Sequence, residues 1–534
     1  MPTVLPLVRR PATLAAALLL AACADQPVAP LAPGAAPPRL AAGGQGHNGG
    51  GLSSLDLIEA DRDLGVLDKE NTNRYREYAV SAPEKLPPKY RSSEKGKDAT
   101  YSMVQLAKEW DSLSAATRKE IRDLRANGFG NLKEVRETEH FVLHYTRQGD
   151  WAVPAQDADG NGTPDFIDAA ARSWEEVYER QVVQLGYPAP KVPTDVVGTP
   201  TAKFNVYYKD MPFYGYCVPE NVVLEGLSPV PVGTASAWIV VENDFAGFVR
   251  NDEDVTGLEP VRTGALKVTQ AHEFMHALQF NINVYQSGWL FESHATWAED
   301  AVYDRVNDWH WYINGFFRTP ALPVQNRYVY GSAYFMHWLS ETYGVDAPRR
   351  VWQASRSATA IEAVRSAALG GSFDPIREFA PAQIALGISD FDGTDAASTV
   401  QPNPALLLRA RHAAYPVSVT VPASTAKLPN GAPSGLGSNF VEFTPAAGTA
   451  ADLTLTFDGA DGPQWRAYAV VTGRRGAVTT VPIALDAAAA GSHVVRDFGG
   501  AVSRVVLAVT IADRPGVQVP FAYGAALGAT VASR

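Results

Sequence analysis

The stretch His272-Glu273-Phe274-Met275-His276 contains two histidines four positions apart, with a glutamate directly after the first. On a helix, residues at this spacing lie on one face, so both imidazoles can bind one Zn²⁺ and the glutamate can act as a base beside it. Apolar neighbours predict a buried helix over residues 264–281. Two histidines and a glutamate are costly to bury without partners, which favours a metal site over a core helix with incidental histidines.

A catalytic zinc needs a third protein ligand and an open fourth position. The extended H-E-x-x-H-x-x-G-x-x-H motif is excluded, because the chain lacks the glycine and third histidine at the required places. A second helix is predicted over 290–306, beginning at Trp289-Leu-Phe-Glu-Ser-His-Ala, and Glu292 in it is the candidate ligand. His294 is a rival, but two positions along a helix it faces about 200° away from Glu292.

This second segment resembles the W-L-x-E-G-x-A segment of gluzincin metallopeptidases, a clan that includes thermolysin-like aminopeptidases. The resemblance implies that Glu292 binds zinc together with His272 and His276. A second glutamate follows the ligand by seven residues in that clan, and Glu299 occupies this place here. The resemblance therefore implies that Glu299 orients a ligand histidine. Serine stands at position 293, where the clan usually has glycine.

The segment Tyr328-Val-Tyr330-Gly-Ser-Ala precedes a further predicted helix, over 331–343. Gluzincins often have Tyr-x-x-Gly-Ala at such a place, and the tyrosine hydroxyl there stabilises the oxyanion of the reaction. Tyr328 matches by spacing, and Tyr330 is the alternative. Aromatic packing at the start of a helix explains both tyrosines equally well.

Residues 157–168 (Asp-Ala-Asp-Gly-Asn-Gly-Thr-Pro-Asp-Phe-Ile-Asp) fit the twelve-residue EF-hand loop and predict a structural Ca²⁺ site. The predicted ligands are Asp157, Asp159, Asn161, Thr163, Asp165 and Asp168. Position 12 is Asp168, where glutamate is usual, and a strand rather than a helix is predicted before the loop. A turn rich in aspartate that caps the next helix is the alternative.

Residues 1–23 have the features of an export signal, with Arg9 and Arg10 before an apolar run over 12–22. That run is shorter than the roughly 20 residues needed to span a bilayer. Leu-Ala-Ala-Cys23 resembles a bacterial lipobox, which implies a lipid on Cys23 and a membrane-anchored protein of the periplasm or cell surface. An ordinary signal peptide is the alternative. Residues 24–51 are rich in Ala, Pro and Gly and predict a flexible tether.

Three further regions are predicted. Residues 52–136 are rich in charge with helical spacing of apolar residues, and this helical region is either an inhibitory propeptide or a structural part. Residues 137–398 mix strands at 140–145, 204–208 and 237–241 with helices and predict an α+β domain, which the resemblance makes zincin-like. Residues 399–534 contain short alternating strands and predict a β-sandwich.

Composition excludes several classes of protein. The chain has 46 basic and 57 acidic residues, a net charge of −11, which argues against nucleic-acid binding. Two cysteines in 534 residues exclude a disulfide scaffold, and Cys217 is predicted to be a small buried hydrophobe. A serine hydrolase is not supported, because the chain has no G-x-S-x-G elbow.

Taken together, the acidic loop, H-E-x-x-H and the W-L-x-E segment resemble a group of secreted bacterial metalloproteases best represented in myxobacteria. We therefore expect zinc-dependent hydrolysis of peptide bonds in proteins or peptides, as an endopeptidase, with Glu273 as general base. The alternative is an inactive surface binding or adhesion protein on a zincin scaffold. The presence of Glu273 favours the enzyme. The sequence indicates no oligomeric state.

Overall fold

The computed structural model describes residues 51–191, 203–227, 230–251, 253, 262–369, 375–385, 403–423, 431–513 and 517–528. The predicted export signal, Cys23 and nearly all of the predicted tether lie outside these residues. None of the helices in the described ranges is both long enough and apolar enough to cross a membrane.

The helices within the described ranges confirm most of the helical predictions. They are α1 (Ser54–Asp63), α2 (Lys69–Ser81), α3 (Thr100–Glu109), α4 (Ala115–Phe129), α5 (Asp165–Tyr178), α6 (Thr263–Asn283), α7 (Gly288–Val302), α8 (His310–Phe317), α9 (Ala333–Tyr343), α10 (Ala347–Ala354), α11 (Ala360–Leu369) and α12 (Pro375–Ala385). The helix predicted over 290–306 ends earlier, at Val302.

The strands within the same ranges form two groups. They are β1 (Gly96–Asp98), β2 (Glu134–Glu137), β3 (Phe141–Tyr145), β4 (Phe204–Lys209), β5 (Phe213–Gly226), β6 (Val232–Glu242), β7 (Leu408–His412), β8 (Val417–Val421), β9 (Ser438–Phe443), β10 (Ala451–Gly459), β11 (Trp465–Gly473), β12 (Val478–Ile483), β13 (Ala490–Phe498), β14 (Val502–Ile511) and β15 (Phe521–Leu527).

The first group is a six-stranded mixed sheet in the order β1-β5-β6-β4-β3-β2. Strands β3, β4 and β6 run parallel, while β5 runs antiparallel to β6. Strand β1 lies parallel to β5 on the outer side of it. The region over 52–136, which the sequence predicts to be helical, contains α1 to α4 and also contributes β1 and the start of β2 to the sheet.

Both faces of this sheet are covered. Helices α5 and α6 pack on one face, where Phe274 of α6 meets Phe141, Trp174 and Phe204 in one aromatic cluster. Residues of the helical region cover the other face in a second core, in which Phe129 contacts the rings of Tyr207 and Trp238. The helices of 52–136 thus form a layer of the fold, because without them this apolar face of the sheet would meet water.

The second group makes the C-terminal part of the chain rich in β-structure. Strands β12-β11-β14-β9-β7 pair in one layer and β13-β10-β15-β8 in another, and β13 and β14 join at a single pair. Side chains from both layers share one apolar cluster, with Phe457 and Phe521 from one layer and Leu507 from the other. The chain is therefore a mixed fold of helices and sheets with a β-rich C-terminal region.

Candidate metal centre

Helix α6 supplies two histidines to one buried point. His272 and His276 lie one turn apart, with ring centroids separated by 4.8 Å, and both side chains are almost fully buried. The helix is buried along most of its length because the sheet packs on one side and α7 on another. Two imidazoles inside such a helix need polar partners, which the next elements provide.

Helix α7 brings a carboxylate to the same point. Its start is fixed by Ser287, whose hydroxyl accepts a hydrogen bond from the N–H of Leu290. One turn later, Oε2 of Glu292 lies 3.3 Å from Nε2 of His272 and 3.8 Å from Nε2 of His276. The three side chains singled out by the sequence as zinc ligands therefore converge.

The other nitrogen of each histidine has its own acceptor. Nδ1 of His272 lies 2.6 Å from Oε1 of Glu299, two turns beyond Glu292 on α7. Nδ1 of His276 lies 2.8 Å from Oε1 of Gln279, whose amide nitrogen donates to the carbonyl of Phe291. Acceptors at both Nδ1 atoms place the protons there, which leaves the Nε2 lone pairs facing Glu292.

The donor atoms fit a zinc ion. Among the described residues, Nε2 of His276 and Oε1 of Glu292 are buried and have no hydrogen-bond partner. Buried polar atoms without partners are costly, and a cation among them would remove that cost. Two imidazoles and one carboxylate are also the donor set of many catalytic zinc sites. The residues present therefore fit Zn²⁺.

A fourth group comes from a place that the sequence analysis missed. A carboxylate oxygen of Asp98, at the end of β1, joins the ligand atoms of His272, His276 and Glu292, all within 4.8 Å of one another. The Asp98 carboxyl also lies close enough to Glu273 and Glu292 to raise the pKa of both. The next turn adds Thr100, whose hydroxyl donates to Oε2 of Glu273 at 2.9 Å.

Burial sets the protonation of this cluster. It raises the pKa of Glu273 and of Glu292 well above the ordinary range, and the nearby charge of Asp98 adds to both shifts. It also lowers the pKa of His272 well below its usual value and lowers that of His276. The imidazoles are therefore neutral, as ligands must be, and the crowded carboxyls favour either protons or a cation among them.

Lys97, the residue before Asp98, holds the acceptor of His272. Its ammonium group lies 3.0 Å from Oε2 of Glu299 and also pairs with Asp308, and all three side chains are buried. Burial raises the pKa of Glu299 to about 8, and the charge of Lys97 opposes that rise. Lys97 therefore favours the ionised form of Glu299, which accepts the proton-bearing nitrogen of His272. No local pattern in the sequence points to this contact.

The structure separates the two candidate tyrosines. The ring centroid of Tyr330 lies 6.3 Å from that of His272, and the side chain is buried. Tyr328 lies one ring further away and packs against Tyr330 and Tyr312. Burial raises the pKa of Tyr330 well above its usual value, so its hydroxyl keeps its proton as a donor. Tyr330 is the tyrosine at the site.

His294 faces away from the cluster, as the helical spacing indicates. Its Nε2 lies 2.6 Å from the hydroxyl of Tyr187, and its Nδ1 lies 3.3 Å from the amide nitrogen of Gln279. Cys217 is fully buried and unpaired, which confirms the sequence prediction of a small buried residue.

The candidate calcium loop follows β3 and extends into the first turn of α5. Carboxylate oxygens of Asp157, Asp159 and Asp165 come within 4.8 Å of one another, and the three side chains are largely exposed. The amide of Asn161 donates to Asp159 and to Asp168. Thr163 donates its backbone N–H to the side-chain oxygen of Asn161. The calcium site stays a prediction, because these internal hydrogen bonds also suit a turn without an ion.

Comparison with known sequences adds one match. The sequence model of a family described as "Family of unknown function (DUF6055)" matches residues 131–370. No curated protein was found to match the chain. The matched residues include the two histidines of α6, both glutamates of α7 and Tyr330, whereas Asp98 lies before them. The centre is thus similar to part of a family to which no function is attached.

Proposed function

We propose that the chain is a gluzincin-type zinc peptidase, which hydrolyses peptide bonds in proteins or peptides as an endopeptidase. The observation that carries this proposal is the convergence of His272, His276 and Glu292, each Nδ1 being held by a separate acceptor. The fold supports the proposal as well, since the histidine helix packs on a mixed sheet and the third ligand comes from the following helix. In this proposal the domain over 137–398 is a zincin catalytic domain.

Each residue has a role in the proposed reaction. A bound zinc ion would lower the pKa of water at the site to about 7 and polarise the scissile carbonyl. His272, His276 and Glu292 hold the ion, while Glu299 and Gln279 orient the imidazoles. Glu273 takes a proton from the attacking water and passes it to the leaving nitrogen. Its raised pKa suits the second transfer, because the protonated form is stable in the buried site.

Tyr330 stabilises the negative charge that develops on the carbonyl oxygen of the substrate. Its protonated hydroxyl donates to the oxygen that becomes negative when water adds to the carbonyl. Removal of one such donor in other enzymes costs about 100–1,000-fold in rate. Tyr328 packs behind Tyr330 and holds its ring in place.

The cellular setting is also proposed from sequence. A lipid on Cys23 would anchor the chain to a membrane, and the segment over 24–51 would hold the folded part away from the lipid surface. The protein would act in the periplasm or at the cell surface, where its substrates are proteins or peptides. The loop over 157–168 would bind Ca²⁺ in a purely structural role.

The alternative remains a binding protein on the same scaffold. Such a protein needs the metal ligands for folding but has no use for a base beside them. Glu273 is present and is held by Thr100 at the centre, which favours the enzyme. An inactive protein would bind zinc and cleave nothing in any variant.

The test uses four samples: the chain with Glu273 and the chain with Glu273→Gln, each with Asp98 intact and with Asp98→Asn. Zinc content and cleavage of an unfolded protein substrate are measured on each sample. We expect about one zinc in each and cleavage only where Glu273 is intact, with a loss of at least about 1,000-fold in its absence. The exposed Glu84→Gln substitution serves as the matched control and should change neither readout. Near-normal cleavage by Glu273→Gln would refute the mechanism.

A further inference from the structure

Strand β1 covers one edge of the sheet beside the metal centre. Gly96 pairs with Phe213 and Asp98 with Gly215 on the outer side of β5. The N–H of Gly96 donates to the carbonyl of Pro212 at 2.8 Å. Just beyond the strand, the hydroxyl of Thr100 accepts from the N–H of Cys217 at 2.8 Å. Residues 96–100 therefore occupy backbone groups of β5 that an added strand would use.

The edge of β5 that β1 covers lies directly beside the metal centre. Gly215, opposite Asp98, lies so close to the base that a Cβ on it would come 2.9 Å from Cγ of Glu273. A peptide laid along β5 at this point would have its backbone beside Glu273. Addition of an extended peptide to an exposed sheet edge is a common mode of recognition. Such a peptide can pair here only after β1 has moved.

Asp98 also lies on the solvent side of the ligand cluster. The side chains of His272, His276 and Glu292 are buried, whereas Asp98 is partly exposed. A catalytic zinc must keep one position open for water and substrate. His272, His276 and Glu292 supply three ligands, and a carboxylate oxygen of Asp98 lies within 4.8 Å of all three ligand atoms, close enough to take the fourth position.

Release of Asp98 requires only a local change. The helices of 52–136 cover an apolar face of the sheet, so removal of the whole region would expose a core. Strand β1 is three residues long, and the segment before it, 91–95, has no regular secondary structure. The main anchor is Lys97, through its pairs with Glu299 and Asp308. Displacement of β1 would break these pairs but would not require α1, α2 and α4 to leave the sheet.

We propose that the Gly96–Asp98 strand is an intramolecular plug, which keeps the enzyme latent by placing Asp98 in the open metal position and β1 on the peptide-binding edge. This inference rests on the proposed function. The strand itself lies outside the part of the chain that the family model matches, since β1 precedes residue 131. The chain turns over substrate only in the fraction of molecules in which the strand is displaced.

The experiment uses the full chain loaded with Co²⁺ and with Zn²⁺, as wild type and as Asp98→Asn. The probe is acetohydroxamate, a small metal chelator, and its binding is followed by the visible absorption of the cobalt protein. Peptide cleavage by the zinc protein is measured in parallel. Asp111→Asn is the matched control, because its side chain is fully exposed in the same region of the chain.

We expect Asp98→Asn to retain about one metal ion and to bind acetohydroxamate at least about tenfold more tightly than wild type, because a site open in a minority of molecules loses affinity in that proportion. Cleavage by the zinc form should also rise, because loss of the Asp98 contact with the metal favours displacement of β1. Asp111→Asn should match wild type in both readouts. The binding readout does not depend on turnover, so it tests the plug separately from the peptidase activity.

Two results would overturn the plug. One is equal binding of acetohydroxamate by wild type and Asp98→Asn, which would show that Asp98 blocks nothing. The other is loss of the metal from Asp98→Asn, which would make Asp98 a permanent ligand. Tight binding by Asp98→Asn without cleavage would support the plug and refute the peptidase. Absence of metal from every sample would refute the proposed function and the plug with it.

Discussion

At the scale of single residues, Gly215 lies directly against two side chains of α6. The atoms nearest to a Cβ built on it are Cγ2 of Thr269 at 2.8 Å and Cγ of Glu273 at 2.9 Å. Distances below about 3 Å are shorter than two carbon atoms can approach without strain, so one neighbour must shift. Glycine at this position lets β5 pass beside Glu273.

We predict that Gly215→Ala lowers cleavage by about 100-fold while zinc content stays the same, because a displacement near 1 Å at a reacting group has this effect. The rate is measured with the zinc protein in the Asp98→Asn background. Gly473→Ala is the control, since a Cβ there would come no closer than 3.6 Å to its neighbours in β-rich structure far along the chain. Unchanged activity in Gly215→Ala would show that Glu273 keeps its position and that the added methyl group is accommodated by Thr269 or the backbone.

The residues of the centre were predictable to different degrees. His272, Glu273 and His276 follow from helical spacing alone, and Glu292 and Glu299 follow from a resemblance of the next helix. Asp98 and Thr100 could not be found in this way. Thr100 lies 173 residues before Glu273, and the contact depends on how β1 pairs with β5. A three-residue strand has no periodicity to detect.

At the scale of elements, α6, α7 and α9 were predicted because long helices repeat their apolar pattern many times. Strands β3, β4 and β6 were predicted from short runs of β-branched and aromatic residues. The sequence analysis did not predict that α1, α2 and α4 cover the second face of the sheet. Nothing in the sequence of α1, α2 and α4 shows which surface their apolar stripes cover, since many surfaces would satisfy them equally.

The end of β6 carries a carboxyl group with an unusual proton affinity. Glu242 is almost fully buried and accepts hydrogen bonds from the N–H groups of Asp244 and Phe245. Burial is the largest cause that raises the pKa of Glu242, from 4.5 to about 8. Between these values the folded chain holds a proton that the unfolded chain releases. The resulting stabilisation is complete below pH 4.5 and is lost as the pH rises through 8.

We predict that Glu242→Gln removes this dependence. The free energy of unfolding of wild type should fall by about 2–4 kcal/mol more than that of the variant between pH 5 and pH 8. Urea denaturation at several pH values measures the difference, and the exposed Glu84→Gln variant should follow wild type. Parallel curves for Glu242→Gln and wild type would show that the carboxyl is ionised in the folded chain across this range.

At the scale of the whole described chain, the β-rich region shares its core with the helices. The sequence analysis treated it as a separate sandwich. In the structure, Ser434, Leu436 and Ser438 exchange backbone hydrogen bonds with the segment over 320–324. Apolar side chains of the β-rich region also join the cluster that contains α6 and α7. They are Leu407, Leu436, Phe440, Tyr468, Val470, Val506 and Ala508.

We predict that a chain ending at residue 402 loses its cooperative unfolding transition. Burial of each large side chain in the shared core contributes about 1.5–3 kcal/mol to the free energy of unfolding. The sum over these side chains is comparable to the roughly 5–15 kcal/mol that stabilises a typical domain. Scanning calorimetry and binding of a hydrophobic dye compare the truncated chain with the full one. A truncated chain that unfolds at the wild-type temperature would establish an independent helical part.

The cover over β5 has a consequence for solubility. An unpaired strand edge is a template for pairing with another chain, and folded proteins usually protect such edges. Further along β5, Val223 and Leu224 are already exposed, and Leu227 follows just after the strand. If β1 leaves, an apolar and unprotected edge joins this patch. Molecules opened without a peptide to occupy the edge are then prone to associate with each other, so activation and aggregation compete for the same strand.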